Sequence, residues 1–145
     1  EIYFKAECFQ KIGAFKARGA ANTIGWLIET GQKPDRIVAN SSGNHAQAVA
    51  WAAEKFGIPS TIYMPDFSSQ IKIQATKSYG AEVVLCKSRN EADERVKEAA
   101  GISGNYWIPP FNHEQIIYGQ ATAAYEAIEE NRDTWIQSWL ETVVD

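Results

Sequence analysis

Lys16 stands between two glycines in the run Lys11-Ile12-Gly13-Ala14-Phe15-Lys16-Ala17-Arg18-Gly19-Ala20, at the mouth of a predicted helix. A lysine amine attacks a carbonyl or takes a proton only when it is neutral. The apolar neighbours Ala14 and Phe15, with Arg18 as a nearby cation, would depress its pKa and free the amine. Ser42, twenty-six residues after Lys16, lies in the run Ser41-Ser42-Gly43-Asn44-His45-Ala46-Gln47, between a predicted strand and a predicted helix. Unpaired N–H groups at such a helix N-terminus make an anion site, suited to a carboxylate or a phosphate. Gly43 lets the backbone approach a ligand closely, and Ser42, Asn44 and His45 add three hydrogen-bonding side chains on one short loop. Each motif alone also has a plainer explanation. A lysine at a helix start is usually solvated, and Ser or Asn ahead of a helix is commonly an N-cap.

The elements that must position these residues follow from periodicity. Ile2 to Ala6 alternates apolar and polar residues, as a half-buried strand does. Lys16 to Ile28 places Ala17, Ala20, Ala21, Ile24 and Leu27 on one helical face, and Gly31 stops it. A short strand over Arg36–Asn40 leads through Ser41-Ser42-Gly43 into a helix that Gly57-Ile58-Pro59 breaks. Ser60–Met64 is a strand. The helix after Pro65-Asp66 is capped by Ser68 or Ser69 and ended by Gly80. Glu82–Cys86 is a strand, Asn90–Ala100 a charged surface helix closed by Gly101, and Asn105–Ile108 a strand stopped by Pro109-Pro110. From His113 to Leu140 the pattern predicts helices broken near Gly119 and Asn131, with Trp135, Ile136, Trp139 and Leu140 facing a core. His113 reads as a cap or surface residue rather than a base.

Strand alternating with helix over short connections predicts an α/β fold, a parallel sheet covered by helices on both faces. In such sheets a ligand sits beyond the carboxyl ends of the strands, often at a helix N-terminus. The 145 residues suffice for a hydrophobic core, and 45% hydrophobic with 22% charged residues is the profile of a globular chain. A net charge of −4 and the absence of a basic stripe argue against a nucleic-acid partner. No apolar run approaches the length that crosses a bilayer. Cys8 and Cys86 lie far apart with no close-spaced Cys or His pair, so the expectation is two reduced thiols in a cytoplasmic protein and no zinc site. No Gly-x-Gly-x-x-Gly follows a strand, which argues against a nicotinamide enzyme. The chain opens in a strand-like run and ends on Thr142-Val143-Val144-Asp145, which reads as the start of another strand, so a fragment of a longer protein is expected.

The glycine-flanked lysine followed by Ser-Ser-Gly-Asn-His resembles the fold-type II pyridoxal 5′-phosphate (PLP) enzymes, in particular the serine/threonine dehydratase, serine racemase and hydroxyaspartate ammonia-lyase group. Tyr63-Met64-Pro65, Lys72 and Tyr79-Gly80-Ala81 fall in the order that group shows. So does Pro109-Pro110-Phe111-Asn112-His113 leading to Gly119-Gln120-Ala121-Thr122. The resemblance extends to about Glu130 and matches the family's N-terminal half. Cysteine synthases, which usually carry Thr-Ser-Gly-Asn-Thr, are the weaker match. The family often has Thr-Gly-Ser where this chain has Ile12-Gly13-Ala14, and Gly-Gln-Gly-Thr where it has Ala121 in third place. These departures touch packing near the site and blur the substrate.

The resemblance implies that Lys16 holds PLP in a Schiff base and handles the α-proton, and that Phe15 lies against the cofactor ring. It implies further that Asn44 bonds the phenolic oxygen, and that Ser41, Ser42, Gly43, Asn44 and His45 bind the substrate carboxylate. Ser42 would be the acid/base on the face opposite the lysine, as in racemases. The implied reaction is elimination of water and ammonia from serine, threonine or 3-hydroxyaspartate, with racemisation as a companion activity. Pro109 to His113 leans toward the hydroxyaspartate lyase and racemase branch. The implied organisation is a small substrate-binding domain over residues 34–111, with 1–33 and 112–145 as parts of a larger PLP domain. The phosphate-cradling loop, a divalent-cation site and the residue facing the pyridine nitrogen would then lie beyond Asp145, leaving the chain alone inactive. The full-length protein is expected to be a homo-oligomer acting on a small amino acid. A different class remains open from the residues themselves: a non-catalytic α/β module that binds a small carboxylate.

Overall fold

The computed structural model describes residues 2–131. Four parallel strands, β1 (Arg36–Asn40), β2 (Ser60–Pro65), β3 (Glu82–Cys86) and β4 (Asn105–Trp107), form one sheet in the order β3-β2-β1-β4. Five α-helices accompany them among the described residues: α1 (Lys16–Glu29), α2 (Asn44–Lys55), α3 (Gln70–Ser78), α4 (Arg89–Ala100) and α5 (Glu114–Glu130). This is the predicted α/β architecture, with helices on both faces.

The strand period of two divides the core. Ile37 and Ala39 of β1, with Ile62 and Met64 of β2, turn to one face. There they pack with α1, α2 and Ile73 of α3 in the main apolar cluster. Val38, between Ile37 and Ala39, turns to the other face and meets Val96 and Ala99 of α4, with Tyr63 and Trp107 alongside. α2 buries Ala46, Ala48, Val49, Ala50, Ala52 and Ala53, and these small side chains let it lie close on the sheet. Beyond it, Gly57 takes a left-handed φ of 65° and Ile58 N–H closes the helix end on Ala53 O at 2.9 Å.

Three expectations about the elements need correction. Residues 2–6 form no strand. Lys5 instead ties this segment to α5, through Glu126 at 3.0 Å and Glu130 at 2.7 Å, so alternation here found no sheet edge to join. Nor does Gly119 break a helix: α5 runs through it unbroken. A Cβ at Gly119 would lie 2.6 Å from Arg18 O and 2.7 Å from Gly19 Cα. A Cβ at Gly19 would in turn lie 3.0 Å from Ile116 O. The two glycines are where α1 and α5 cross at close range, which only the absence of side chains allows. The helix does end at Asn131, as expected. Ser69 takes the N-cap position of α3 without a side-chain bond, so the capping role expected of Ser68 or Ser69 is not seen. The expectations for Trp135, Ile136, Trp139, Leu140 and Thr142 lie outside the described residues.

Candidate active site

β1 is central in the sheet. The chain runs from it outward through β2 to β3, then returns to place β4 on its other side. The direction of winding therefore reverses between β1 and β4. At such a point the loops beyond the strand ends diverge and leave a crevice. Both loops are the ones carrying the motif residues: Ser41–Gly43 follows β1, and Ile108–Asn112 follows β4.

The segment after β4 ties the two sequence motifs together. Lys16 Nζ, in the first turn of α1, donates to Pro110 O at 2.7 Å. Two residues before that carbonyl, Ile108 O meets His45 Nε2 at 2.9 Å. Lys16 is half-buried, and burial lowers its pKa from the ordinary 10.5. Phe15 lies beside it, with the ammonium 5.3 Å from the ring centroid and the ring 42% exposed.

Arg18 does not lower the lysine pKa, contrary to expectation. Its guanidinium is engaged by Glu7 at 2.8 Å and Glu126 at 2.7 Å, and it also donates to Thr122 Oγ1 at 3.0 Å. These carboxylates, Glu126 before Glu7, raise the Arg18 pKa further. The cation is thus a clamp joining the chain before α1 to α5, and desolvation alone acts on Lys16.

The turn into α2 separates into committed and uncommitted groups. Gly43 N–H donates to Ser41 Oγ at 3.1 Å, and His45 is spent on Ile108 O. Ser42 Oγ and the Asn44 amide have no partner among the described residues. No side chain caps the first turn of α2, so the plainer N-cap explanation for Ser42 and Asn44 is not what the structure shows. Its leading N–H groups are left for an anion. Lys72 of α3 also reaches this turn: a Cβ on Gly43 would lie 3.1 Å from its Nζ. Sequence reasoning placed Lys72 in order but gave it no role, and did not find the Pro110 carbonyl at all.

His45 is 3% exposed, and its neutral ring donates from Nε2 to Ile108 O, leaving Nδ1 buried with no partner among the described residues. Burial brings its pKa from 6.5 down to about 4, with the Ile108 carbonyl opposing and the Lys16 charge adding. A folded-state pKa below the unfolded one means that the unfolded chain takes up the proton first as pH falls. The stability is therefore fully present above pH 6.5 and lost progressively down to about 4. The loss is expected to reach on the order of 3 kcal/mol. Urea midpoints measured across this window should fall for the wild type and fall much less for His45→Gln. Parallel curves would show that His45 is not the group responsible. His113 occupies the N-cap position of α5 without capping it; its Nε2 meets Tyr106 Oη at 2.8 Å.

An open groove of about 360 Å³ lies on the α4 side of the same segment, lined by Asp93, Lys97, Trp107, Pro109, Pro110 and Phe111 among others. Neither Lys16 nor the Ser41–His45 turn lines it, so the groove is separate from the titratable cluster.

Comparison with known proteins bears on the family and the fold. Residues 1–136 match the family described as pyridoxal-phosphate dependent enzyme. The chain is 43% identical over 131 residues to a serine racemase of Schizosaccharomyces pombe, covering 90% of this chain and 40% of that one. It is 41% identical over 131 residues to an L-threo-3-hydroxyaspartate ammonia-lyase of Saccharomyces cerevisiae, with the same coverage of 90% and 40%. Among solved structures, a pyridoxal 5′-phosphate-dependent aspartate racemase superposes with a TM-score of 0.83 at 37% identity, over 88% of this chain and 39% of that one. The chain thus spans about 40% of the length of these curated relatives.

Proposed function

The chain belongs to the pyridoxal-phosphate dependent enzymes, and from that premise we propose that the full-length protein eliminates water and ammonia from small hydroxy amino acids. The substrates are serine, threonine or 3-hydroxyaspartate, with racemisation of the same substrates as a second outcome. The observation that carries this reading is a half-buried amine whose pKa burial lowers, held on Pro110 O at a strand-order reversal. Beside it lies a helix N-terminus whose leading residues keep Ser42 and Asn44 uncommitted. These groups fit the aldehyde end of PLP: an amine with a depressed pKa, an adjacent aromatic ring and an uncommitted side-chain amide. Relatives named serine racemase and L-threo-3-hydroxyaspartate ammonia-lyase support the substrate class.

When bound, PLP supplies an electron sink for the carbanion left at Cα. The chain's own residues do the rest. Lys16 Nζ, released from Pro110 O, would hold the cofactor at its aldehyde carbon, and the same amine, when free, is the base placed to remove the proton from Cα. Phe15 would supply an apolar surface for the ring, and the Asn44 amide would donate to the phenolic oxygen. The turn from Ser41 to His45 holds the substrate carboxylate on N–H groups, with the Ser41 hydroxyl keeping Gly43 in place. The Ser42 hydroxyl stands ready to deliver a proton on the face away from Lys16. Loss of the α-proton and the β-hydroxyl as water, then hydrolysis of the released enamine, yields a keto acid and ammonia.

The full-length protein mixed with PLP is expected to develop the visible absorbance of a lysine-bound cofactor and to release keto acid from at least one of the three substrates. No visible band would sink the reading and favour a non-catalytic carboxylate-binding module.

A further inference from the structure

Lys72 stands in the first turn of α3, half-buried, with its ammonium over Gly43. The proximity is close: a methyl group in place of the glycine hydrogen would sit 3.1 Å from Nζ. That position is the head of α2, where the helix dipole and the unpaired N–H groups are themselves positive. Two positive groups therefore face one small volume. Among the described residues the Lys72 ammonium has no ion pair and no hydrogen bond; the other lysines that lack both, Lys11, Lys33, Lys55, Lys77, Lys87 and Lys97, are exposed, whereas Lys72 is half-buried. The next residue but one after Gly43, His45, keeps its Nδ1 buried, with no partner among the described residues. A solvated lysine on a helix face gains nothing by lying half-buried against a positive helix end. An anion between the two relieves their repulsion and accepts bonds from both.

We propose that Lys72 is the cation of the carboxylate subsite. The α-carboxylate of the amino-acid substrate is held between the leading N–H groups of α2 and the Lys72 ammonium. Gly43 is the residue whose missing side chain keeps this space open. This inference rests on the reading above that the Ser41–His45 turn receives the substrate carboxylate, and it adds the charge that reading lacks. The ammonium acts on the carboxylate and on no other part of the substrate, so it selects acids over their uncharged amides.

The test uses the full-length protein loaded with PLP and the variants Lys72→Met and Lys72→Arg. Serine and serinamide both carry the amine that perturbs the cofactor absorbance, so each dissociation constant can be read spectroscopically. A charge-assisted hydrogen bond corresponds to about 10–100-fold in affinity. Lys72→Met is expected to weaken serine binding by that factor while leaving serinamide nearly unchanged, and Lys72→Arg to restore most of the loss. Equal weakening of serine and serinamide, or no weakening, overturns the proposal. A second titration with malonate, an unreactive carboxylate, separates the two readings. If the wild type shows no cofactor band, the proposed function falls. The anion subsite then stands if malonate binding weakens in Lys72→Met and falls if it does not. Should Lys72→Met not fold, Lys72→Gln carries the same comparison.

Discussion

Alanine at position 16 of the full-length protein is expected to remove the visible band of the lysine-bound cofactor and to lower keto-acid production by more than about 10⁴-fold. One amine performs two tasks, the covalent hold on the cofactor and the transfer of the α-proton, so its loss removes both. Lys16 is suited to them by placement. Its Nζ is fixed on Pro110 O at 2.7 Å, and burial lowers the pKa from 10.5, which raises the fraction of neutral amine at any pH below that value. Lys11 is exposed in the turn before α1, and Lys72 stands on α3 over Gly43; neither bonds the Pro110 carbonyl. Lys16→Arg should behave like Lys16→Ala, because a guanidinium stays protonated and cannot take the aldehyde. Borohydride reduction followed by peptide mapping should label Lys16 alone. A label on Lys11 or Lys72, or persistence of the band in Lys16→Ala, would show that another amine holds the cofactor.

Sequence patterning reached the architecture because each strand and helix between residues 16 and 107 carries its own signal. Periods of two and of about 3.6 residues mark the elements, and glycines such as Gly31, Gly57 and Gly80 sit at helix ends with left-handed φ of 73°, 65° and 76°. Gly119 carried the same signal and misled, since a glycine that ends a helix and one that lets two helices touch look alike along a chain. Ile2 to Ala6 misled in another way: alternation describes a face, and whether a partner strand lies within reach is settled elsewhere in the fold. Arg18 was assigned to Lys16 by adjacency, yet two residues advance about 200° around a helix. It therefore faces Glu7 and Glu126, away from the amine. The Pro110 carbonyl and the approach of Lys72 to Gly43 were not legible at all. The first is a backbone group 94 residues from Lys16, and the second depends on how α3 lies against α2. Types and order along the chain name the reactive side chains, but the contacts that hold and charge them are tertiary.

Removal of a single oxygen, in Ser42→Ala, is expected to suppress racemisation of serine by about 10²–10⁴-fold while lowering elimination from L-serine far less. The asymmetry follows from what each reaction requires. Elimination needs one base, which takes the Cα proton and is Lys16 in the proposed mechanism. Inversion needs a second group that delivers a proton to the opposite face of the same carbon. Of the two adjacent serines, Ser41 is bound to the Gly43 N–H at 3.1 Å, while the Ser42 hydroxyl has no partner among the described residues. Ser42 is thus the serine of the pair whose hydroxyl has no structural task in the turn, so its loss leaves the Ser41–Gly43 bond in place. The substitution leaves the backbone N–H groups of the turn, Gly43 and Lys72 untouched, so carboxylate binding should persist and KM for elimination should change little. The measurement is chiral analysis of serine in parallel with keto-acid release, for the wild type and Ser42→Ala under the same conditions. A selective loss of D-serine formation supports the two-face assignment. Equal loss of both activities would mean that the hydroxyl holds the carboxylate, and the second proton donor would then have to be sought outside the Ser41–His45 turn.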